Sequence, residues 1–452
     1  MAPTLQVGST HAQSGLEPVR NVATLPISRS PHIRELLRFA YLPRDARKEL
    51  LKIHVWEHKS DQLVRRFGKD RVITIIHPMT LSSGPESGLV NQIFALAGVT
   101  AFAALFGALL VLPDFASHDH DGTQLAFATL FESGAFTTAI RPHVTAITRE
   151  DYQRLRTASD NARRRLHGDN TSIVSVLQGD ELLGWRVYKS MQRLLASENV
   201  TAAEASRLRS IEVSTYRGLE LAPAVQRRVE QAAQMLFSPA RRGVVTARRS
   251  MRWPTSGSGS SARRFDLVMP SAPVEETGRL EYGCVHARIE ADMIRSQAYN
   301  KAGRPPVLSD YLPRSPPDAM RSTQVIFVAV GTDISADDAR RLEMPAPWGA
   351  RLALTRREGK SRVEGTGDAA TDAATSYTRD ALVDLALCRG ASWFAGWPGS
   401  TFARLVGALH TLDRGRGYHA VCPGSLSFVT PDHRTLMGQH DFCPKLKRDP
   451  EK

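Results

Sequence analysis

Residues 284–293 read Cys284-Val285-His286-Ala287-Arg288-Ile289-Glu290-Ala291-Asp292-Met293. From Val285 onward, apolar and ionisable side chains alternate. In an extended strand this alternation places the apolar side chains on one face and an imidazole, a guanidinium and two carboxylates on the other. Periodicity alone fits two interpretations equally. One is a solvated charged face on an edge strand, and the other is a strand end whose ionisable groups bind a charged ligand.

The residues on either side favour the ligand-binding interpretation. Residues 280–285 are typical of a strand, and the segment from Asp292 onward is typical of the start of a helix. The ionisable groups thus lie where a strand ends and leads into a helix. Open α/β sheets bind their ligands at such strand ends.

A second segment, nearer the amino end, predicts a strand–helix–strand unit. Residues 71–76 form a short β-branched run, a loop rich in Pro, Ser and Gly follows, and residues 93–112 carry no charge. Twenty uncharged residues match the length of a membrane span, but apolar helices also occur inside α/β cores. Gly107 divides the segment into a helix over about 91–106 and a strand over 109–112. We therefore predict a right-handed crossover in a parallel sheet rather than a membrane span.

A third segment predicts a phosphate-binding turn near the carboxyl end. A helix from about Arg379 to Cys388 leads to a short strand over 392–396, and the turn 397–402 then opens a helix that runs to His410. Backbone N–H groups and hydroxyls at a helix start form a ready site for phosphate. An ordinary helix cap by Ser400 explains the same residues without a ligand.

Together the three segments resemble the GDP-fucose protein O-fucosyltransferases, most closely the plant-type branch. The central motif is His-x-Arg-x-Glu-x-Asp-Met, with Ala287 where the family usually has Leu. The loop 87–92 resembles the family's Gly-Gly-Leu-Asn-Gln loop with one residue more and one Gly fewer, and Asp384 with the turn 400–402 resembles its carboxy-terminal motif. The resemblance implies an α/β fold of two Rossmann-like domains facing a cleft (GT-B type). It also implies inverting transfer of fucose from GDP-fucose to a hydroxyl acceptor on a protein or glycan, without cofactor or metal.

The resemblance also implies roles on the donor side. Arg288 is the residue expected to stabilise the departing diphosphate, because a guanidinium is permanently charged and binds two oxygens at once. Ser400 and Thr401 are expected to hold the phosphates. The remaining donor-side expectations are that Phe402 and Asp384 face the nucleoside and that His286 and Asp292 orient the nucleotide or Arg288.

On the acceptor side, Gly88 and Asn91 are expected to line the cleft from the amino-terminal domain. The acceptor hydroxyl needs a general base. Glu86 is the candidate from the loop that resembles the family motif, and Glu290 is the alternative.

Two other functions fit parts of the sequence. The run His118-Asp119-His120-Asp121 follows a predicted strand and could hold a divalent ion in a metal-dependent glycosyltransferase that uses another nucleotide-sugar. We favour a polar loop there and expect no metal. The second alternative is a protein that binds a nucleotide-sugar without catalysis.

Charge is concentrated between the two predicted domains. The net charge is +13, and residues 241–264 hold seven Arg and no acid. We interpret this segment as a basic flexible linker rather than a nucleic-acid site, because no nucleic-acid-binding motif accompanies it, and a basic protein suits an anionic nucleotide-sugar. The expected organisation is a disordered or targeting tail (1–34), an acceptor-side domain (35–237), the linker (238–265), a nucleotide-sugar-binding domain (266–445) and a tail (446–452).

The four cysteines leave the compartment open. Cys284 and Cys388 fall in apolar runs and are expected to be buried thiols, whereas Cys422 and Cys443 could pair in a secreted protein. The resemblance suggests the secretory pathway (ER or Golgi), but residues 1–34 show no apolar core of a signal peptide.

Overall fold

The computed structural model describes most of the first predicted domain and part of the second. The described residues are 44–81, 88–116, 124–165, 173–179, 183–195, 201–237, 281–287, 308, 311–312, 320, 323–330, 351–353, 368–414, 418–422 and 425–429. The predicted tails and linker lie outside this part of the chain, so the domain boundaries remain predictions.

The helices and strands follow one another in the alternating order typical of α/β proteins. The helices are α1 (Arg44–Phe67), α2 (Leu89–Phe106), α3 (Phe127–Leu130), α4 (Ser133–Ile140), α5 (Arg149–Arg165), α6 (Leu183–Leu195), α7 (Ala202–Arg217), α8 (Pro223–Phe237), α9 (Asp368–Gly390) and α10 (Thr401–Arg414). The strands are β1 (Val72–Pro78), β2 (Thr80–Leu81), β3 (Leu109–Val111), β4 (Asp114–Ala116), β5 (Gln124–Leu125), β6 (Ala146–Ile147), β7 (Ile173–Gly179), β8 (Gly283–His286), β9 (Val325–Ala329), β10 (Arg351–Ala353), β11 (Trp393–Gly396), β12 (Tyr418–Cys422) and β13 (Ser425–Val429).

The first half of the protein contains a four-stranded sheet with the order β6-β3-β1-β7 and parallel pairing throughout. Because β1 lies beside β3 on one side and β7 on the other, the strand order reverses between β1 and β7. Alternate side chains of β1 belong to two cores: Ile76 to the core that includes residues of α2 and α6, and Ile75 to the core that includes Tyr152 of α5. Helices therefore cover both faces of this sheet, as the α/β prediction requires.

The second half contains a six-stranded sheet with the order β10-β9-β8-β11-β12-β13. Pairing is parallel from β10 to β12, and β13 joins antiparallel at the edge. In chain order the first five strands are arranged 3-2-1-4-5, which is the order of a Rossmann-like sheet. The predicted fold class, α/β with two halves built on parallel sheets, is confirmed, and a small third sheet (β2-β4-β5) was not predicted.

Helix α2 is the core of the first half. Its sequence is apolar all round, and within the described residues it is the helix long and apolar enough to cross a membrane, with 83% of that segment buried inside the protein. Gly98 allows α6 to approach closely, since a Cβ there would lie 2.1 Å from the carbonyl oxygen of Gly184. Gly107 ends the helix in the left-handed conformation and β3 follows, so the predicted helix–strand division at this glycine is confirmed.

Two local expectations were wrong. Cys284 and Cys388 are buried, but they form a disulfide that joins β8 to α9 across 104 residues instead of remaining thiols. Residues 368–376 form the first turns of α9, so the helix predicted from about Arg379 begins eleven residues earlier. Their Ala residues favour helix, and the Thr and Asp between them gave the segment its loop-like composition.

The two halves pack together through their helices. α8 contacts α9, where Arg228 and Asp380 form an ion pair at 3.4 Å, and α2 contacts α10. Buried residues of both halves belong to one continuous hydrophobic core.

Candidate functional site

The candidate site lies where the strand order of the second sheet reverses, between β8 and β11. The two strands are parallel neighbours in register, and their last residues, His286 and Gly396, are partners. The chain therefore leaves both strands at the same edge of the sheet. A reversal of strand order opens a crevice at the carboxyl ends of the strands, and this crevice is the usual ligand site of such sheets.

Two stacked rings lie at this reversal of strand order. The imidazole of His286 stacks on the ring of Phe402, with 4.5 Å between centroids and 27° between planes. His286 is 5% exposed, whereas Phe402 is partly buried. Two predicted site residues that are 116 positions apart in the chain thus meet in the fold.

The stack requires α10 to lie close to β11, and Gly396 provides the space. A Cβ at Gly396 would lie 2.8 Å from the Cβ of Ala403 on the first turn of α10. Any larger side chain would push the helix start, and Phe402 with it, away from the strand.

The start of α10 is suited to an anion. Ser400 is buried, its N–H donates to the carbonyl of Trp397 at 2.9 Å, and its carbonyl accepts from the N–H of Arg404 at 3.0 Å. The first backbone N–H groups of a helix have no partner within the helix, and the helix dipole adds positive potential at this end. Thr401, at the first helical position, is partly exposed.

The disulfide brings Asp384 to the level of the His286 stack. α9 ends at Gly390 just before β11 begins at Trp393, so earlier residues of α9 lie nearer the carboxyl edge of the sheet. From Cys284 to His286 a strand advances about 7 Å, and from Cys388 back to Asp384 a helix advances about 6 Å in the same direction. Asp384, 2% exposed, is thereby placed beside the crevice on the face that carries α9 and α10.

The first half contributes the start of α2. Asn91 lies in the first turn, and its side-chain oxygen is buried without a hydrogen-bond donor among the described residues. The side-chain amide of the next residue, Gln92, forms two hydrogen bonds with Ala116: it donates to the carbonyl at 2.8 Å and accepts from the N–H at 2.7 Å. A Cβ at Gly88 would meet no described atom within 4 Å.

The starts of α2 and α10 lie close together. The guanidinium carbon of Arg404 lies 5.7 Å from the ring centroid of Phe94. Phe94 follows Asn91 by about one helical turn, and Arg404 follows Ser400 by about one turn. The two helices therefore present their predicted site residues, from opposite halves, within about one turn of their mutual contact.

Several predicted site residues lie outside the described part of the chain. They are Glu86, Arg288 and Asp292, together with the alternative base Glu290 and the run 118–121. Their roles remain predictions. Within the described residues no group of three or more His, Cys, Asp or Glu is close enough together to hold a metal ion.

A buried polar cluster that was not predicted from the sequence lies next to the start of α10. It consists of Arg404 on α10, Tyr188 on α6, and Glu212 and Tyr216 on α7. The Tyr216 hydroxyl donates to Glu212 at 3.0 Å, and burial raises the pKa of Glu212 to about 8 despite hydrogen bonds from both tyrosines and the nearby charge of Arg404. The sequence feature that indicates this cluster is a spacing of four residues. This spacing places Ser400 and Arg404 on one face of a helix, and Glu212 and Tyr216 on one face of another.

The sequence matches no protein-family model and no curated protein. Among solved structures, it is similar to NodZ of Bradyrhizobium, an α-1,6-fucosyltransferase soaked with GDP-fucose, at 14% identity and a TM-score of 0.39 over 80% of this chain and 99% of that chain. It is similar to POFUT1 in complex with GDP at 14% identity and a TM-score of 0.37, over 75% and 94% of the two chains. It is also similar to a variant of Arabidopsis thaliana FUT1 in complex with GDP at 12% identity and a TM-score of 0.32, over 90% and 80%. Likeness at this level does not establish a shared activity.

Proposed function

We propose that this protein is a glycosyltransferase that moves fucose from GDP-fucose to a hydroxyl acceptor, on a protein or a glycan, with inversion. One observation carries the proposal. His286 and Phe402 stack at the reversal between β8 and β11, beside the helix start that bears Ser400 and Thr401. The motif resemblance supplies the identity of the donor, which the geometry alone does not specify.

The described residues suit the nucleoside diphosphate of the donor. Phosphate oxygens fit the free N–H groups at the start of α10, where the helix dipole favours negative charge. The aromatic surface at Phe402 offers a platform for the guanine base, since stacking on an aromatic ring requires only a π-face. Asp384, which is 2% exposed on α9, is proposed to face the nucleoside.

Arg288 completes the proposed chemistry. It follows His286 by two residues. As the bond between fucose and the diphosphate breaks, negative charge grows on the leaving oxygen, and a guanidinium placed there stabilises the transition state. Such a contact typically lowers the barrier by about 3 kcal/mol.

The acceptor is proposed to bind from the side of α2. Asn91 lies in the first turn of α2 and Gly88 caps this helix, so both are placed to line the acceptor side. Glu86, or alternatively Glu290, is proposed to remove the proton of the acceptor hydroxyl.

The disulfide supports an oxidising compartment for this activity. Disulfides such as Cys284–Cys388 persist in the secretory lumen and outside the cell and are rare in a reducing cytosol. The proposed location is therefore the secretory pathway.

The experiment combines binding with turnover on the full chain. In a thermal-shift panel of nucleotide-sugars, GDP-fucose at a hundred times its dissociation constant should stabilise the protein by about 2.7 kcal/mol. With radiolabelled GDP-fucose, Arg288→Ala should reduce fucose release or transfer by about a hundredfold or more. The control Arg154→Ala removes an arginine side chain that is 72% exposed on α5 and should retain activity.

Three outcomes contradict the proposal in different ways. Full activity of Arg288→Ala would show that Arg288 does not make the proposed catalytic contact. Binding of GDP-fucose by the wild-type chain without hydrolysis or transfer would indicate a non-catalytic nucleotide-sugar-binding protein. Loss of activity with a chelator would indicate the metal-dependent class.

A further inference from the structure

Arg404 is a buried cation that joins the two halves of the protein. Its side chain belongs to α10 of the second half, yet it is 7% exposed and its guanidinium lies over the ring of Phe94 on α2 of the first half. A cation over an aromatic face within about 6 Å is attracted by the ring quadrupole, and the attraction is stronger where water is excluded.

The ring that receives Arg404 is itself held rigidly. Phe94 stacks on Tyr188 of α6, with 5.0 Å between centroids and 4° between planes, and it meets Tyr216 of α7 edge to face at 6.1 Å. Gln192 donates a hydrogen bond to the Tyr188 hydroxyl, and Tyr216 donates to Glu212. Arg404 therefore contacts a platform assembled from three helices of the first half.

The charges around Arg404 make its position specific. Burial lowers the pKa of Lys189, and the charges of Arg404 and Arg193 lower it further, so a second cation of α6 faces the same junction. Burial raises the pKa of Glu212 to about 8, so this carboxyl is mostly protonated at neutral pH. The aromatic face of Phe94, 5.7 Å from the guanidinium carbon, is one attraction that acts on Arg404 across the two halves.

We propose that Arg404 is a positioning residue that fixes the start of α10 against the start of α2. Ser400 and Thr401 precede it by about one turn, and Asn91 precedes Phe94 by about one turn. The contact thus sets the distance between the donor-binding and acceptor-binding helix starts. This inference rests on the proposed function for its catalytic consequence, but not for its structural consequence.

Three variants of the full chain test the proposal. Arg404→Met keeps an unbranched side chain but removes the charge, and Arg404→Lys keeps the charge but loses the planar guanidinium. The control Arg228→Met breaks the ion pair with Asp380, which also joins the two halves but lies between α8 and α9, in neither of the two helix starts.

The first measurement is amide hydrogen exchange of the ligand-free variants. Loss of the contact should speed exchange in the first turns of α2 and α10 by about 5- to 30-fold in Arg404→Met, a range that corresponds to a desolvated cation–π contact. Arg404→Lys should show a smaller increase, and Arg228→Met should leave both turns unchanged. Unchanged exchange in Arg404→Met, or an equal increase in the control, would overturn the proposal.

The second measurement is steady-state transfer from GDP-fucose. Because Arg404 is assigned no contact with the donor, Arg404→Met should change KM for GDP-fucose by less than about threefold while kcat falls about tenfold or more through misalignment of the two halves. Equal kcat in Arg404→Met and wild type would contradict the positioning role. If the wild-type chain neither binds nor uses GDP-fucose, the proposed function fails, and the exchange measurement still decides the structural link.

Discussion

Glu212 makes the stability of the protein depend on pH in a way that one substitution should remove. The carboxyl is 2% exposed on α7 and accepts a hydrogen bond from Tyr216. Burial raises its pKa from 4.5 to about 8. Glu212→Gln replaces the carboxyl with a neutral amide of the same shape whose oxygen can still accept from Tyr216.

The magnitude follows from proton binding. Between pH 4.5 and about 8 the unfolded chain has lost the proton of this carboxyl while the folded chain keeps it. Stability that is fully present below pH 4.5 is therefore lost as pH rises through 8, at about 1.4 kcal/mol per pH unit. Over the whole interval the loss is on the order of 5 kcal/mol, and the glutamine variant lacks it.

The assay is urea unfolding of the wild type and Glu212→Gln at pH 5.5, 7.0 and 8.5, followed by tryptophan fluorescence. The difference in unfolding free energy between the two proteins should move in favour of the variant by about 1.4 kcal/mol for each unit up to pH 8 and then level off. Other titrating groups cancel in this difference. The matched control Glu220→Gln makes the same substitution at an exposed position just after α7. A difference for Glu212→Gln that is the same at all three pH values would refute the buried, protonated state.

Three further predictions concern the core, the disulfide and the ring stack. Gly98→Ala should destabilise the protein by about 2 kcal/mol or more in urea unfolding, because the new Cβ would lie 2.1 Å from the carbonyl oxygen of Gly184. The control Gly134→Ala adds a Cβ that meets no described atom within 4 Å. It should be neutral or stabilise α4 by up to about 1 kcal/mol. Cys388→Ser should lower the free energy of unfolding by about 2–5 kcal/mol, because the lost bond closes a loop of 104 residues. A reductant should have little further effect on that variant. Equal stability of wild type and variant under oxidising conditions would contradict the bond. Phe402→Ala should weaken GDP binding measured by calorimetry by about 5-fold or more, given that stacking of a base on an aromatic ring contributes about 1–3 kcal/mol, and unchanged affinity would place the base elsewhere.

The elements that the sequence predicted well are those with a local signal. The β-branched run 71–76 became β1, and the uncharged segment after it became α2 and β3, divided at Gly107. The helix start at 401 followed from the Trp-Pro-Gly-Ser turn. Periodicity and turn residues are properties of neighbouring positions, so they can be read without the fold.

The features that were predicted wrongly, or not at all, depend on long-range contacts or on segments of ambiguous composition. Nothing near Cys284 in the sequence indicates that Cys388, 104 residues later, will lie within bonding distance. The Ala, Thr and Asp residues of 368–376 fit a loop by polarity and a helix by propensity, and the chain forms a helix there. The strand order 3-2-1-4-5 is likewise a property of the assembled sheet.

For the candidate site, the sequence predicted the residue types but not the cluster that supports them. His286 and Phe402 were both expected near the nucleotide, and the fold places their rings 4.5 Å apart. Arg404 looked like an ordinary helix residue, because its contact with Phe94 crosses between the two halves. Whether Arg288 joins His286 and Phe402 at the diphosphate stays a prediction.

The central claim is that a nucleoside diphosphate binds at the carboxyl ends of β8 and β11. Amide hydrogen exchange of the full chain with and without GDP tests this most directly. Bound GDP should slow exchange at residues 283–287 and 400–405. Failure of GDP to bind, or protection confined to other segments such as α1, would contradict it.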